Sequence, residues 1–225
     1  MNVRVTRFLD GAREATGHAV IVDVFRAFTT AAFCIAAGAR EIVLVADHEQ
    51  ALALKRDDPT LFLTGEIGGR PIPGFDVGNS PSAIERLDLS GRRVVQRTSS
   101  GTQGVVAATA ARGILLGSFV IAQATVDHLR RVASEVTIVA MGHNAIAEAD
   151  EDAKCARYLG SLLRGERPTP PTVLLEGDHS AEGWPAWFPR RDAELACQID
   201  RFDFALPVAF EGGLFVARAA RTAAN

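Results

Sequence analysis

The stretch His18-Ala19-Val20-Ile21-Val22-Asp23, followed by Ala27 to Ala37 and then by Glu41 to Ala46, decides the reading of the fold. Its first part is an apolar, β-branched run without alternation, the pattern of a strand buried on both faces. The second part is Ala-rich and helical in character and the third is again β-branched, so the three make a βαβ unit. The pattern recurs downstream. Val94 to Gln96 reads as a strand feeding a helix over Thr102 to Ala111, Ile114 to Phe119 as a strand, and Ala122 to Ala133 as a helix. Val136 to Met141 is the next strand and Glu151 to Leu163 an amphipathic helix. This alternation predicts an α/β protein, layered α/β/α, with a mostly parallel or mixed sheet. The C-terminal part is less periodic, with a helix over Asp192 to Ile199 and a strand over Ala205 to Phe210. A single domain over residues 1–225 is expected, and the punctuated stretch Arg164 to Pro171 is where a C-terminal subdomain would begin, near residue 165.

The chain has 225 residues, 48% of them hydrophobic and 23% charged, enough to build a sizeable core. Its 24 basic and 27 acidic side chains leave a formal charge of −3, which argues against a general nucleic-acid or anionic-membrane partner. No apolar run approaches the ~20 residues that cross a bilayer. Arg4, Arg7, Asp10 and Arg13 interrupt the place where a signal peptide would carry its apolar stretch, so a cytoplasmic protein is expected. Cys34, Cys155 and Cys197 are odd in number and widely spaced, which suggests reduced core residues and neither a disulfide framework nor a thiol metal site. The basic residues are almost all arginine, Lys55 and Lys154 excepted, and with so much alanine this bias is a coding signature before it is phosphate chemistry.

In open α/β sheets ligands sit beyond the carboxyl ends of the strands, and Asp23 stands there, directly after Ala19-Val20-Ile21-Val22. An acid at the end of an apolar strand is costly to bury unless it is paired or binds a cation. A structural pair with Arg26, one turn on, is the alternative to a site. The turn Arg97-Thr98-Ser99-Ser100-Gly101-Thr102, between a strand and an Ala-rich helix, has the hydroxyls and free N–H groups of an oxyanion cradle. Its hydroxyls are also ordinary helix caps, and it lacks the lysine and glycine spacing of a Walker loop. The segment Thr64 to Pro81 holds five glycines and three prolines, too many for regular structure, and suits a shaped loop presenting Glu66, Arg70, Asp76 and Asn79. In Glu148-Ala149-Asp150-Glu151-Asp152 most of the acids are explained by the dipole of the helix they open. Asp152 differs, because it shares the i, i+4, i+7, i+11 stripe of Ala156, Leu159 and Leu163 and so faces inward. An inward carboxylate near a strand end suits Mg²⁺, which takes few protein carboxylates and keeps several waters.

Two other patterns lead nowhere. Cys34 and Arg40 have the separation of a cysteine-phosphatase signature, but Cys34 lies within a helix and does not open a phosphate loop. An aspartyl-phosphate mechanism at Asp23 would need an acid two residues on, where Phe25 stands. His143 follows a strand and is read as a loop residue that can assist proton transfer.

The stretches Val20 to Thr30, Gly65 to Pro81, Thr98 to Thr102, Leu116-Gly117-Ser118-Phe119 and Glu151-Asp152 resemble, in the same order, the 2-phosphosulfolactate phosphatase family, over most of the chain from Ala19 to about Leu163. A weaker likeness continues around Asp192 to Pro207. The resemblance implies an α/β fold of that family's own, Mg²⁺ dependence, hydrolysis of a phosphate ester bearing a carboxylate and a sulfonate, and a place in coenzyme M biosynthesis. The sequence departs from the family's Gly-Glu-Arg-Gly-Gly loop by placing Ile67 at the arginine, and Ser99-Ser100-Gly101-Thr102 stands where the family has Thr-Asn-Gly-Thr. The loss of a fixed cation beside the loop bears on substrate identity before it bears on fold.

The expected protein is therefore a Mg²⁺-dependent phosphatase converting 2-phospho-3-sulfolactate to 3-sulfolactate and phosphate. Asp23 and Asp152, with Glu66 or Asp76, would hold the metal. Arg26 and the turn Thr98, Ser99, Ser100, Gly101 and Thr102 would bind phosphoryl oxygens, Arg70 and Asn79 the rest of the substrate, while a metal-activated water attacks in line. Asp23, Arg26 and Asp152 are the catalytic candidates. A phosphatase for a different small anionic ester and a non-catalytic anion-binding protein are the competing readings. The oligomeric state is left open, with a homodimer compatible with the sequence.

Overall fold

Alanine 19 through Val22 are fully buried because their strand, β2 (His18–Val22), lies between two parallel neighbours and is covered on both faces. The computed structural model describes residues 1–175, 184–185 and 187–221. The first parallel group is completed by β1 (Asn2–Arg7), β8 (Gly113–Gly117) and β9 (Glu135–Ala140), in the order β1-β9-β2-β8. A second parallel group contains β3 (Glu41–Val45), β4 (Phe62–Ile67), the short β6 (Val77–Gly78) and β7 (Arg93–Arg97), in the order β3-β7-β4-β6. The two-residue β5 (Arg70–Pro71) turns back on β4 as an antiparallel hairpin.

The C-terminal strands β10 (Phe204–Glu211) and β11 (Leu214–Ala217) join the two groups. Strand β10 pairs antiparallel with β8, β11 with β10, and β11 antiparallel with β3, so the two parallel groups run in opposite senses. A last short strand, β12 (Ala220–Arg221), pairs with the start of β10. The described residues thus form one mixed sheet of twelve strands, mostly parallel.

Helices cover both faces. Helix α2 (Ala27–Ala36) is mostly apolar and buried from Ala27 through Ile35, with the Thr29 hydroxyl bonded to the Val24 carbonyl and to Ser118. With α1 (Phe8–Arg13) and α5 (Gly101–Ala107) it shares one core that also takes Ile21, Leu116 and Val139 from the first strand group and Ile42, Leu44, Phe62 and Val94 from the second. The opposite face of the first group, Val20, Val22 and Ile138, packs on α6 (Ala122–Val132) and α7 (Asp150–Leu163). The opposite face of the second group, Val43, Val45, Leu63 and Val95, meets Ala51 and Leu54 of α3 (His48–Asp57). Of two short helices, α4 (Pro81–Ile84) packs on α2 and α8 (Arg190–Ala196) on α4.

The expected α/β architecture is present, with differences in detail. The helix expected over Thr102 to Ala111 ends at Ala107, where the chain must turn toward β8 and the Arg112 N–H bonds the carbonyl of Gly17. The Thr64 to Pro81 loop is not wholly irregular, since its first residues finish β4 and two short strand segments lie within it. Because β10 and β11 occupy the middle of the sheet, Leu206 is fully buried. Leu206→Ala is expected to lower the unfolding free energy by about 2–5 kcal/mol, read from urea denaturation; a loss below about 1 kcal/mol would contradict this placement.

Candidate functional site

The N-terminal ends of α2 and α5 meet beyond the end of β2. Gln96 at the end of β7 donates from Nε2 to the Ala27 carbonyl at 2.7 Å, tying the second strand group to the start of α2. Gly101 fits because it has no side chain. A Cβ there would lie 2.9 Å from both the Ala27 Cβ and Asp23 Oδ2.

Asp23 is 5% exposed, and both of its carboxylate oxygens are used. Oδ1 accepts from the Ala27 N–H at 3.0 Å, and Oδ2 from the Gly101 N–H at 2.8 Å. Asp152, on the inward stripe of α7, is 3% exposed and gripped in the same way. Its Oδ1 accepts from the Val24 N–H at 2.7 Å and its Oδ2 from the Gly142 N–H at 2.8 Å. Ser100 Oγ locks the opposite side of this junction, donating to the Gly142 carbonyl at 2.8 Å and accepting from the Ala145 N–H at 2.9 Å. Three stretches distant in sequence, around residues 23, 101 and 142–152, therefore converge on two carboxylates.

The third acid is Glu66, 6% exposed, which clamps the glycine-rich loop to the turn after β7. Its carboxylate accepts from the Gly69 N–H at 2.6 Å, from the Ser99 N–H, and from Ser99 Oγ at 3.1 Å. The Gly68 N–H donates back to Ser99 Oγ at 2.9 Å. Burial, with Glu66 and Glu151 adding repulsion, pushes the Asp23 carboxyl up to about 7. Burial first, then the charges of Asp23 and Glu151, raises Asp152 well above the ordinary carboxylate range, and burial also raises Glu151. Among the described residues Arg26 feels the charges of Glu66 and Asp23, but its hydrogen bonds go elsewhere.

Arg26 is 3% exposed, and neither of its expected partners is its principal one. It does not pair with Asp23. Its Nη1 donates to Asp192 Oδ2 at 2.9 Å and to the Trp187 carbonyl at 2.8 Å, and Nη2 to the Gly69 carbonyl at 3.2 Å. Asp192, fully buried on α8, also accepts from Ser80 Oγ and the Ser82 N–H, both at 2.9 Å, at the start of α4. Breaking a buried pair of this kind by removing one partner typically costs about 3–5 kcal/mol. These bonds brace α2, α4, α8 and the loop.

Other expected residues are also placed differently. Asp76 pairs with Lys55 and accepts from the Leu63 N–H at 2.7 Å, so it fastens the loop to α3 and β4 and is not brought to the Asp23–Asp152 cluster. Thr98 and Thr102 cap one another, the Thr98 N–H bonding Thr102 Oγ1 at 2.8 Å and the Thr102 N–H bonding Thr98 Oγ1 at 3.1 Å. Of the N–H groups in the expected cradle, that of Ser99 is held by Glu66 and that of Gly101 by Asp23. Ser99 is the half-buried hydroxyl of the run. Asn79 is 5% exposed, and its Oδ1 has no partner among the described residues. Arg70 is exposed at the rim, and His143 lies on the exposed loop after β9 with Nε2 beside the Asn144 amide at 3.1 Å.

Gly142, Asp192 and Trp187 were not found by sequence reasoning. Gly142 ends a strand as Asp23 does, but it acts through a main-chain N–H, which leaves no trace in residue type. Asp192 reads as an ordinary acid in the first turn of a helix. Among the described residues no three His, Cys, Asp or Glu side chains form a metal-binding group, and no helix is long and apolar enough to cross a membrane.

An α/β chain with buried acids where strand ends and helix starts converge, beside a glycine-rich loop clamped by Glu66, has the arrangement of a small-ligand site. A family model described as 2-phosphosulpholactate phosphatase matches residues 7–180, and the chain belongs to that family. Similar proteins bear the name probable 2-phosphosulfolactate phosphatase. That of Bacillus subtilis is 32% identical over 149 residues, covering 65% of this chain and 64% of that protein. That of Deinococcus radiodurans is 42% identical over 135 residues, covering 59% and 56%. That of Thermoplasma volcanium is 29% identical over 208 residues, covering 92% and 96%. The first two matches span less than two thirds of those relatives' own lengths.

Because the Asp23 pKa is raised from 3.8 to about 7, its proton favours the folded state; that contribution is full below about 3.8 and is lost as pH rises through about 7. Without divalent cations, the Tm is expected to fall between about pH 4 and about pH 7, and to fall less in Asp23→Asn, which has no such proton to lose. Equal slopes in the two proteins would contradict the burial of Asp23.

Proposed function

We propose that the protein is a Mg²⁺-dependent phosphatase that hydrolyses 2-phospho-3-sulfolactate to 3-sulfolactate and phosphate. The observation that carries this reading is the convergence of Asp23 and Asp152, two buried carboxylates that repel one another and are oriented by four main-chain N–H groups. The donor set fits magnesium. It offers hard carboxylate oxygens, each with a lone pair left after its hydrogen bond, in surroundings where added positive charge relieves repulsion. Membership of the family and the names of the relatives support the same activity.

Bound there, magnesium supplies Lewis-acid polarisation of the phosphoryl group and neutralises charge developing in the transition state. The rest falls to the chain's own residues. Asp23 and Asp152 hold the cation and, being fixed by main-chain donors, need little reorganisation during the reaction. Glu66 keeps Gly68, Gly69 and Ser99 in register, and the Ser99 hydroxyl reaches a phosphoryl oxygen by exchanging its bond to Glu66. Arg26 acts indirectly, by bracing the loop through Gly69. Arg70 at the rim suits a carboxylate or sulfonate. With a formal charge of −3, a small-molecule ester is favoured as partner over nucleic acid. The three unpaired cysteines favour a reducing compartment, the cytoplasm.

The test has two readouts. Wild-type protein is expected to release phosphate from 2-phosphosulfolactate in Mg²⁺ and to gain Tm on Mg²⁺ addition without substrate. Asp23→Asn is expected to lose turnover by at least about a hundredfold and most of the Mg²⁺-induced gain in Tm. Wild-type protein that releases no phosphate, or a variant that keeps both properties, would overturn the reading.

A further inference from the structure

Arg70 is the one basic residue in the stretch from Gly65 to Pro81. It sits opposite Ile67 in the β4–β5 hairpin, on the far side of Gly68 and Gly69 from Glu66, and is exposed. Among the described residues no carboxylate pairs with it. Its contact is aromatic: the guanidinium carbon lies 5.8 Å from the centroid of the Trp187 ring.

Trp187 is held on several sides. Its carbonyl accepts the 2.8 Å bond from Arg26, the guanidinium braced by Asp192. Its ring lies against Gly69, where a Cβ would come within 2.5 Å of Cζ3; Gly69 also has φ +82°, so glycine is required there twice over. The neighbouring Phe188 ring lies 4.2 Å from the Arg26 guanidinium carbon and packs edge-on to Phe25 at 5.8 Å between centroids. The tryptophan is therefore anchored to the same elements that carry Asp23 and the Glu66 clamp, though it lies 117 residues beyond Arg70 in the chain.

A guanidinium drawn over a ring by a cation–π contact keeps N–H groups free for a planar or tetrahedral acid group while losing part of its freedom to swing into solvent. We propose that Trp187 is a positioning residue for substrate selection. Its ring holds Arg70 at the rim of the site, where the guanidinium takes the second acid group of a phosphate ester, a carboxylate or a sulfonate. This rests on the phosphatase reading above.

The test compares 2-phosphosulfolactate with isopropyl phosphate, which has no second acid group, in wild-type protein and in the variants Trp187→Ala, Trp187→Leu, Trp187→Phe and Arg70→Ala. Trp187→Leu keeps apolar bulk over Gly69 and removes the ring, which separates packing from stacking. The ratio of kcat/KM between the two esters is expected to fall at least about tenfold in Trp187→Ala, Trp187→Leu and Arg70→Ala, mainly through KM for the sulfonated ester. Trp187→Phe should retain the ratio within about threefold, and Arg70→Ala/Trp187→Leu should fall no further than Arg70→Ala alone. A Trp187→Leu protein that discriminates as the wild type does, or effects that multiply in the double variant, overturns this inference and leaves the phosphatase reading standing. Wild-type protein that hydrolyses neither ester overturns both.

Discussion

A carboxylate buried at the end of a strand must be answered by hydrogen-bond donors or by a cation, and the rest of the site follows from how Asp23 is answered. Its donors are the N–H groups of Ala27 and Gly101, which open two different helices. Holding one acid thus fixes α2 against α5 and brings the first strand group to the second. Asp152 repeats the arrangement with Val24 and Gly142, tying the start of α7 to the ends of β2 and β9. Each bond to an ionised carboxylate is stronger than a neutral one, but four of them do not remove the cost of placing two like charges together in a dry interior. The raised pKa of both groups is the sign of that unrelieved cost.

The protein's own cations are spent on architecture. Arg26 braces α8 and the loop, Lys55 holds Asp76, and Arg97 donates to the main-chain carbonyls of Ala46 and Glu66 at 3.1 and 2.7 Å. The site is left acidic within and edged by Arg70. That division of charge suits a divalent ion inside and an anionic substrate approaching from the rim. The rigidity comes from main-chain donors and buried pairs, which are hard to rotate, so the carboxylates are in place before any ligand arrives.

Much of this was legible in the sequence wherever the signal was local. Asp23 announced itself as an acid at the end of an apolar strand, and Asp152 by sharing a stripe with Ala156, Leu159 and Leu163, all buried. The turn from Thr98 to Thr102 lies where the sequence puts it, and the N–H groups of Thr98, Ser99, Gly101 and Thr102 are held by Glu66, by Asp23 and by one another. The same hydroxyls and N–H groups would read identically with an external anion in place. What sequence could not reveal was pairing at long range. Arg26 meets Asp192 across 166 residues, and Asp76 meets a lysine on another element. The central position of β10 and β11 is of the same kind, because an antiparallel bridge between two parallel groups is set by the geometry of the whole sheet. Strand β1 escaped notice since it is an edge strand, exposed over much of its length and without an apolar run.

The central claim is that one divalent ion is gripped jointly by carboxylates from distant parts of the chain. The most direct measurement is a titration of ¹⁵N-labelled protein with Mg²⁺, following the backbone amides of Gly101 and Gly142, which hold Asp23 and Asp152 respectively. The account predicts that both resonances shift together along one binding curve. A shift at one glycine without the other, or two curves with different midpoints, would contradict it.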